Sequence, residues 1–291
     1  MHPLLIVLAA VVLFLVVTLA TLVWVVSGQV IARRKPDVRT SPTDHGLPFE
    51  EVAFPARDGL TLRGWFIPAP QPRGAVVFCH GHAGSMDPDV QYAPWFHQAG
   101  FSVLMFDFRG HGRSDGQHVS LGALERQDLL GAVDELARRG FTRVGVLGFS
   151  MGGAVALLTA PLDERIAAVV SDGGFASVEG ALVGWVDRHA RPLRPLAHLL
   201  APLVRRVAGW RLHTRLENPR DWVGRLAPRP LLLIHGDRDP YITVEAVEAL
   251  YAAAGQPKEL WRVAEADHRE VDQHRPEAYR QRVMGFFEQY L

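Results

Sequence analysis

The chain has 291 residues, 48% of them hydrophobic and 21% charged, a make-up that fits a globular enzyme and excludes a disordered or fibrous protein. Lysine plus arginine equals aspartate plus glutamate at 31 each, so no net field draws the chain to nucleic acid, and no nucleic-acid partner is expected. A single cysteine, Cys79, excludes an intrachain disulfide and any cysteine-based metal cluster.

Leu4 to Val26 is apolar almost throughout, broken only by Thr18 and Thr21. As a helix it reaches roughly 35 Å, enough for a hydrocarbon core of about 30 Å. A cleaved signal peptide predicts a basic start, a shorter apolar core and a small-x-small cleavage site, none of which is convincing here. Residues 1–32 therefore read as an uncleaved anchor that makes the membrane a partner. Arg33, Arg34, Lys35 and Arg39 follow it, which predicts a cytoplasmic catalytic domain under the positive-inside rule. Residues 33–48 are polar, contain Pro36, Pro42 and Pro48, and read as a tether.

From Phe49 onward the pattern is that of a domain spanning 49–291. Glu51 to Phe54 and Thr61 to Ile67 read as strands joined at Asp58-Gly59. The short apolar runs Ala75 to Cys79, Ser102 to Phe106, Val144 to Leu147, Ile166 to Val170, Leu231 to Ile234 and Leu260 to Val263 suit parallel strands buried on both faces. Between them, Ala93 to Gln98, Gly122 to Arg138, Gly152 to Thr159, Val244 to Ala254 and Pro276 to Tyr290 read as helices. The alternation predicts an α/β protein with a mostly parallel, doubly wound sheet and a ligand site beyond the carboxyl ends of its strands. Residues 173–221 have no strand signal but carry leucines at helical spacing, and read as a helical lid insertion.

Gly148-Phe149-Ser150-Met151-Gly152 matches G-x-S-x-G, with a strand before it and an apolar helix after it. A serine hydroxyl is a weak nucleophile near neutral pH and needs a histidine base oriented by a carboxylate. Asp237 and Asp239 follow the Leu231 to Ile234 run, His268 follows Leu260 to Val263, Asp172 follows Ile166 to Val170, and His274 lies further on. The order Ser150, Asp239, His268 is the one this architecture uses. His80 and His111 read as loop-holding residues. No H-E-x-x-H, P-loop or dinucleotide fingerprint is present, so neither a metal nor a cofactor is expected.

Phe78 to Gly84, Asp107 to Ser114, Gly148 to Gly153 and His235 to Asp239 together resemble segments of the α/β-hydrolase superfamily, in particular its membrane-linked Bem46-like branch of serine-aminopeptidase character. The resemblance spans roughly Phe49 to Leu291. It implies Ser150 as nucleophile, Asp239 as acid, His268 as base, and an oxyanion hole from the N–H groups of His82 and Met151. It departs at Asp267, where the family has glycine before the histidine. The implied activity is hydrolysis of a carboxylic ester or related acyl bond in a small-molecule substrate, with lipid-like substrates among the candidates. An aminopeptidase, a thioesterase and a non-catalytic binding module are the alternatives, with Glu179 or Asp187 as acids an aminopeptidase could use for the α-amine. Arginines in the insertion, Trp185, Trp210 and the leucine stripe suit either plain packing helices or a lid resting on anionic lipid.

Overall fold

The computed structural model describes residues 3–291. Eight strands form one sheet: β1 (Glu50–Pro55), β2 (Thr61–Ile67), β3 (Gly74–Cys79), β4 (Phe101–Phe106), β5 (Val144–Phe149), β6 (Ile166–Asp172), β7 (Leu231–Gly236) and β8 (Lys258–Val263). Their order across the sheet is β1-β2-β4-β3-β5-β6-β7-β8. β1 and β2 are antiparallel at one edge, and β3 to β8 pair in parallel. The expected strand runs all occur; β2 keeps its expected bounds and each of the others is one or two residues longer, where backbone pairing continues past the apolar run.

Both faces of the sheet are covered, which is why its central strands need apolar side chains at every position. On one face lie α3 (Glu125–Arg138), α4 (Met151–Thr159) and α7 (Val244–Ala253), which pack Leu129, Val133, Val155, Val247 and Leu250 against the strands. On the other, α2 (Ala93–Gln98) and α8 (Pro276–Tyr290) bring Phe96, Tyr279, Val283 and Phe287. Chain order reverses between β3 and β5, which lie side by side while β4 sits on the far side of β3. In open sheets such a reversal leaves a crevice at the strand ends.

Two parts lie outside this sandwich. Between β6 and β7 the chain forms α5 (Val178–Ala190) and α6 (Arg194–Arg211), which pack on each other. At the start, α1 (Pro3–Ile31) is long and apolar enough to cross a membrane; only Val23, Ser27 and Ile31 are buried. Its last turns pack on α6, where Val23 joins Leu200 and Val204, and Arg211 donates to the Trp24 carbonyl and to Ser27 Oγ.

The stretch 33–48, expected as a tether, is instead held along residues 31–40. Ile31 is buried in the core, Val119 N–H donates to its carbonyl at 2.9 Å, and Ala32 bridges His118 in antiparallel register. The Arg33 guanidinium donates to the carbonyls of Gly116, Gly112 and Ser114 at 2.5, 2.9 and 3.1 Å. Bonds of this kind, from charged side chains to distant carbonyls, follow no period in the sequence.

Candidate active site

Ser150 sits between β5 and α4 with φ 50° and ψ −113°, a conformation that L residues rarely adopt. Such a residue stores about 1–3 kcal/mol of strain, tolerated only where its surroundings fix it. They do: Ser150 N–H donates to the Asp172 carbonyl at 2.7 Å, and Gly152 lies so close to the Cys79 carbonyl that any side chain there would collide. The hydroxyl is thereby lifted to the end of the sheet.

His268 lies in the loop after β8, with Nε2 2.9 Å from Ser150 Oγ and Nδ1 2.5 Å from Asp239 Oδ2. With the Nδ1 proton donated to the carboxylate, Nε2 presents a lone pair to the serine hydroxyl; this tautomer follows from the hydrogen-bond network. Asp239, after β7, is itself fixed. Its Oδ1 accepts from the N–H groups of Tyr241 and Ile242 at 2.8 and 3.0 Å, leaving Oδ2 for the imidazole. The Tyr241 ring stands edge-on to His268 at 5.0 Å.

The alternative residues are placed elsewhere. Asp237 accepts two bonds from Arg262, at 2.8 and 2.9 Å. His274 faces Glu270 at 3.9 Å. Asp172 is buried at the end of β6 and accepts from Tyr279 Oη at 2.8 Å; burial pushes its carboxyl up to about 6.

The departure at Asp267 has a physical account. Its Oδ1 accepts from the His268 N–H at 2.6 Å, and its other oxygen faces Arg188 of α5 at 3.4 Å, so the carboxylate pins a turn that glycine would leave free. The next residue, Arg269, takes φ 58° and pairs with buried Asp89 at 2.6 Å while lying 4.3 Å over the Phe149 ring. No sequence pattern marks Arg269 or Asp89 as supports of this loop.

On the opposite flank, Met151 opens α4, so its N–H is among those without an intrahelical acceptor. The loop after β3 passes directly over the serine: a side-chain carbon at Gly81 would lie 3.5 Å from Ser150 Cβ. His80 Nε2 accepts from the Phe108 N–H at 2.9 Å, and the His111 ring lies between the Arg109 and His82 carbonyls at 2.9 and 3.0 Å, so both histidines hold this loop.

The segment leaving α1 holds it too. Arg34 donates to His82 Nε2 at 2.7 Å, and its own N–H donates to the Gly110 carbonyl at 2.9 Å. Burial, with the Arg34 charge, pushes the His82 imidazole down to about 3, so the ring stays a neutral acceptor. Asp37 accepts from the Ser85 N–H at 2.7 Å, and Asp87 accepts from the Thr40 N–H at 3.2 Å. In the sequence Arg34 is one member of a basic run whose evident use is membrane topology, so nothing flagged this contact.

A serine bonded to a histidine bonded to an aspartate, all at strand ends of a mostly parallel sheet, is the layout of the α/β-hydrolase fold. Comparison with known proteins agrees on the fold. Residues 70–225 match the family described as serine aminopeptidase S33, and the chain belongs to that family of hydrolases. It is 30% identical to protein YfhR of Escherichia coli K12 over 249 residues, covering 81% of this chain and 80% of the relative. It is 24% identical to the bem46 protein of Schizosaccharomyces pombe, over 75% of this chain and 70% of that one. Among solved structures, an esterase of Pyrococcus furiosus, Pf2001, superposes with TM-score 0.75 at 27% identity, covering 89% of this chain and 98% of the other. The family match ends before β7, so the places of Asp239 and His268 rest on geometry.

Proposed function

We propose that this protein is a membrane-anchored serine hydrolase that cleaves a carboxylic ester or related acyl bond. The observation that carries this reading is the unbroken chain Asp239–His268–Ser150, with links of 2.5 and 2.9 Å. In the proposed cycle, Ser150 Oγ attacks the carbonyl carbon while His268 Nε2 takes its proton. The N–H groups of His82 and Met151 receive the developing oxyanion, and one such donor is worth roughly 3–4 kcal/mol in related sites. His268 then protonates the leaving group, and the acyl-enzyme is released by a water that His268 activates. The likeness to an archaeal esterase supports an ester as substrate.

An aminopeptidase would need a free acid to receive the substrate's α-amine. Glu179 and Asp187 line a cavity of about 310 Å³ that also touches Tyr241; Glu179 is taken by Arg205, whereas Asp187 lies 3.7 Å from Arg194 with its buried Oδ1 unbonded, which keeps the aminopeptidase as the second reading. Residues 1–32 form the anchor in this reading, with the domain on the cytoplasmic side because the basic run follows α1.

The test is labelling by a fluorophosphonate together with turnover of short p-nitrophenyl esters. The wild type should show both and Ser150→Ala neither. Full labelling of Ser150→Ala removes Ser150 as nucleophile, and an inert wild type favours a binding module of the same fold.

A further inference from the structure

α6 has two unlike faces. Leu200, Val204 and Ala208, four residues apart, are buried. Leu199, Leu203, Arg206 and Trp210 recur at spacings of four, three and four on an adjoining stripe that nothing covers: Leu199 is 68% exposed, Leu203 50% and Trp210 67%. Three large apolar side chains in one row do not belong on a surface that meets water alone.

The position of α6 says which way the row faces. α6 crosses α1 between Val23 and Val30, which is where a span beginning near Leu4 leaves a hydrocarbon core of about 30 Å. Trp210 lies beside Trp24, ring centroids 6.1 Å apart, and Arg211 stacks on the same Trp24 ring at 4.3 Å. Trp24 stands in the first turn of this crossing, at its end toward the apolar span, so the row containing Trp210 lies on that side as well. Tryptophan and arginine are the residues that settle at a membrane interface. Next to Trp210 an open cleft of about 810 Å³ is lined by Arg205, Arg206, His213 and Arg215, with Glu179 as its acid, already paired to Arg205. Its remaining cations complement an anionic headgroup.

We propose that the Leu199–Leu203–Trp210 face of α6 seats in the interfacial layer of the bilayer that α1 crosses, with Arg206 and Arg215 on anionic headgroups. The proposal rests on the membrane reading of α1 given above. It gives the anchor a companion: α1 holds the chain in the bilayer, and α6, lying across it, holds the domain down against the surface.

The test uses the full chain in phosphatidylcholine–phosphatidylglycerol nanodiscs carrying a lipid-borne quencher. The native thiol, Cys79, is buried, so single cysteines can be introduced and labelled with a fluorophore. Leu199→Cys and Leu203→Cys are the reporters. Leu13→Cys reports on α1, and Leu162→Cys, an exposed leucine just beyond the far end of α4, is the aqueous control. Quenching of both reporters well above Leu162→Cys, with Leu13→Cys quenched most, is the expected result. Reporters no more quenched than Leu162→Cys while Leu13→Cys is quenched overturn the docking and leave the anchor standing. An unquenched Leu13→Cys overturns the anchor, and the docking with it.

Discussion

The two flanks of Ser150 are built in different ways. On the flank proposed for acid–base work, His268 and Asp239 sit at the ends of adjacent strands, and the elements that hold them belong to the sheet's own loops: the Tyr241 and Ile242 amides, Asp267 and Arg269. On the flank proposed to receive the oxyanion, the loop carrying His82 is held partly by Arg34 and Asp37, which lie far away in the sequence, just beyond the apolar helix. One flank is therefore a property of the sheet, and the other depends on the segment that joins the sheet to α1.

The sharpest way to break the contrast is at Asp239. Asp239→Asn should leave the geometry and lower kcat by about 10⁴, because the imidazole then adopts the wrong tautomer. A fall of less than tenfold would pass the orienting role to another carboxylate. On the oxyanion flank the expected effect is smaller. Arg34→Ala leaves both N–H donors in place but frees the His82 ring, so kcat should fall on the order of tenfold with KM little changed, well short of the roughly 10²–10³ for losing a donor outright. Arg34→Lys should recover part of the loss. If Arg34→Ala raises KM alone, the segment shapes binding and not the oxyanion loop.

Asp172→Asn gives the smallest kinetic effect, since that carboxyl faces Tyr279 and not the imidazole. Its signature is in stability. The folded carboxyl titrates near 6, above its ordinary value, so its contribution is full below about 3.8 and is lost as pH rises through about 6. Asparagine is neutral throughout. The variant's Tm relative to wild type should therefore be more favourable at pH 8 than at pH 5 in thermal unfolding scans, and a gap independent of pH would remove the assignment.

The acid–base flank was legible in the sequence for a physical reason. Strands buried on both faces must be bare apolar runs, their ends are therefore visible, and Ser150, Asp239 and His268 stand just past three of them. Choosing Asp239 over Asp237 and Asp172 was not a matter of spacing. It rested on the family resemblance; in the structure the Tyr241 and Ile242 amides turn Asp239 toward the ring, and Arg262 and Tyr279 occupy the other two carboxylates. Residues 33–40 were opaque because side-chain bonds to remote carbonyls leave no periodic trace, and a basic run after an apolar helix has a sufficient meaning without them. For α6 the leucine spacing announced a helix, but only the crossing with α1 separates its covered row from its open one.

The short bridge from Ile31 to Thr40 also sets a distance. With Ala32 paired to His118 and Arg33 fastened to three carbonyls, the serine does not swing on a leash below α1. In the membrane-anchored reading it works at one height above the bilayer, so the acyl bonds it meets are chosen by how far they stand out from the surface as well as by their chemistry. Exchanging residues 31–40 for a flexible linker of equal length would alter that reach and loosen the oxyanion loop in the same stroke.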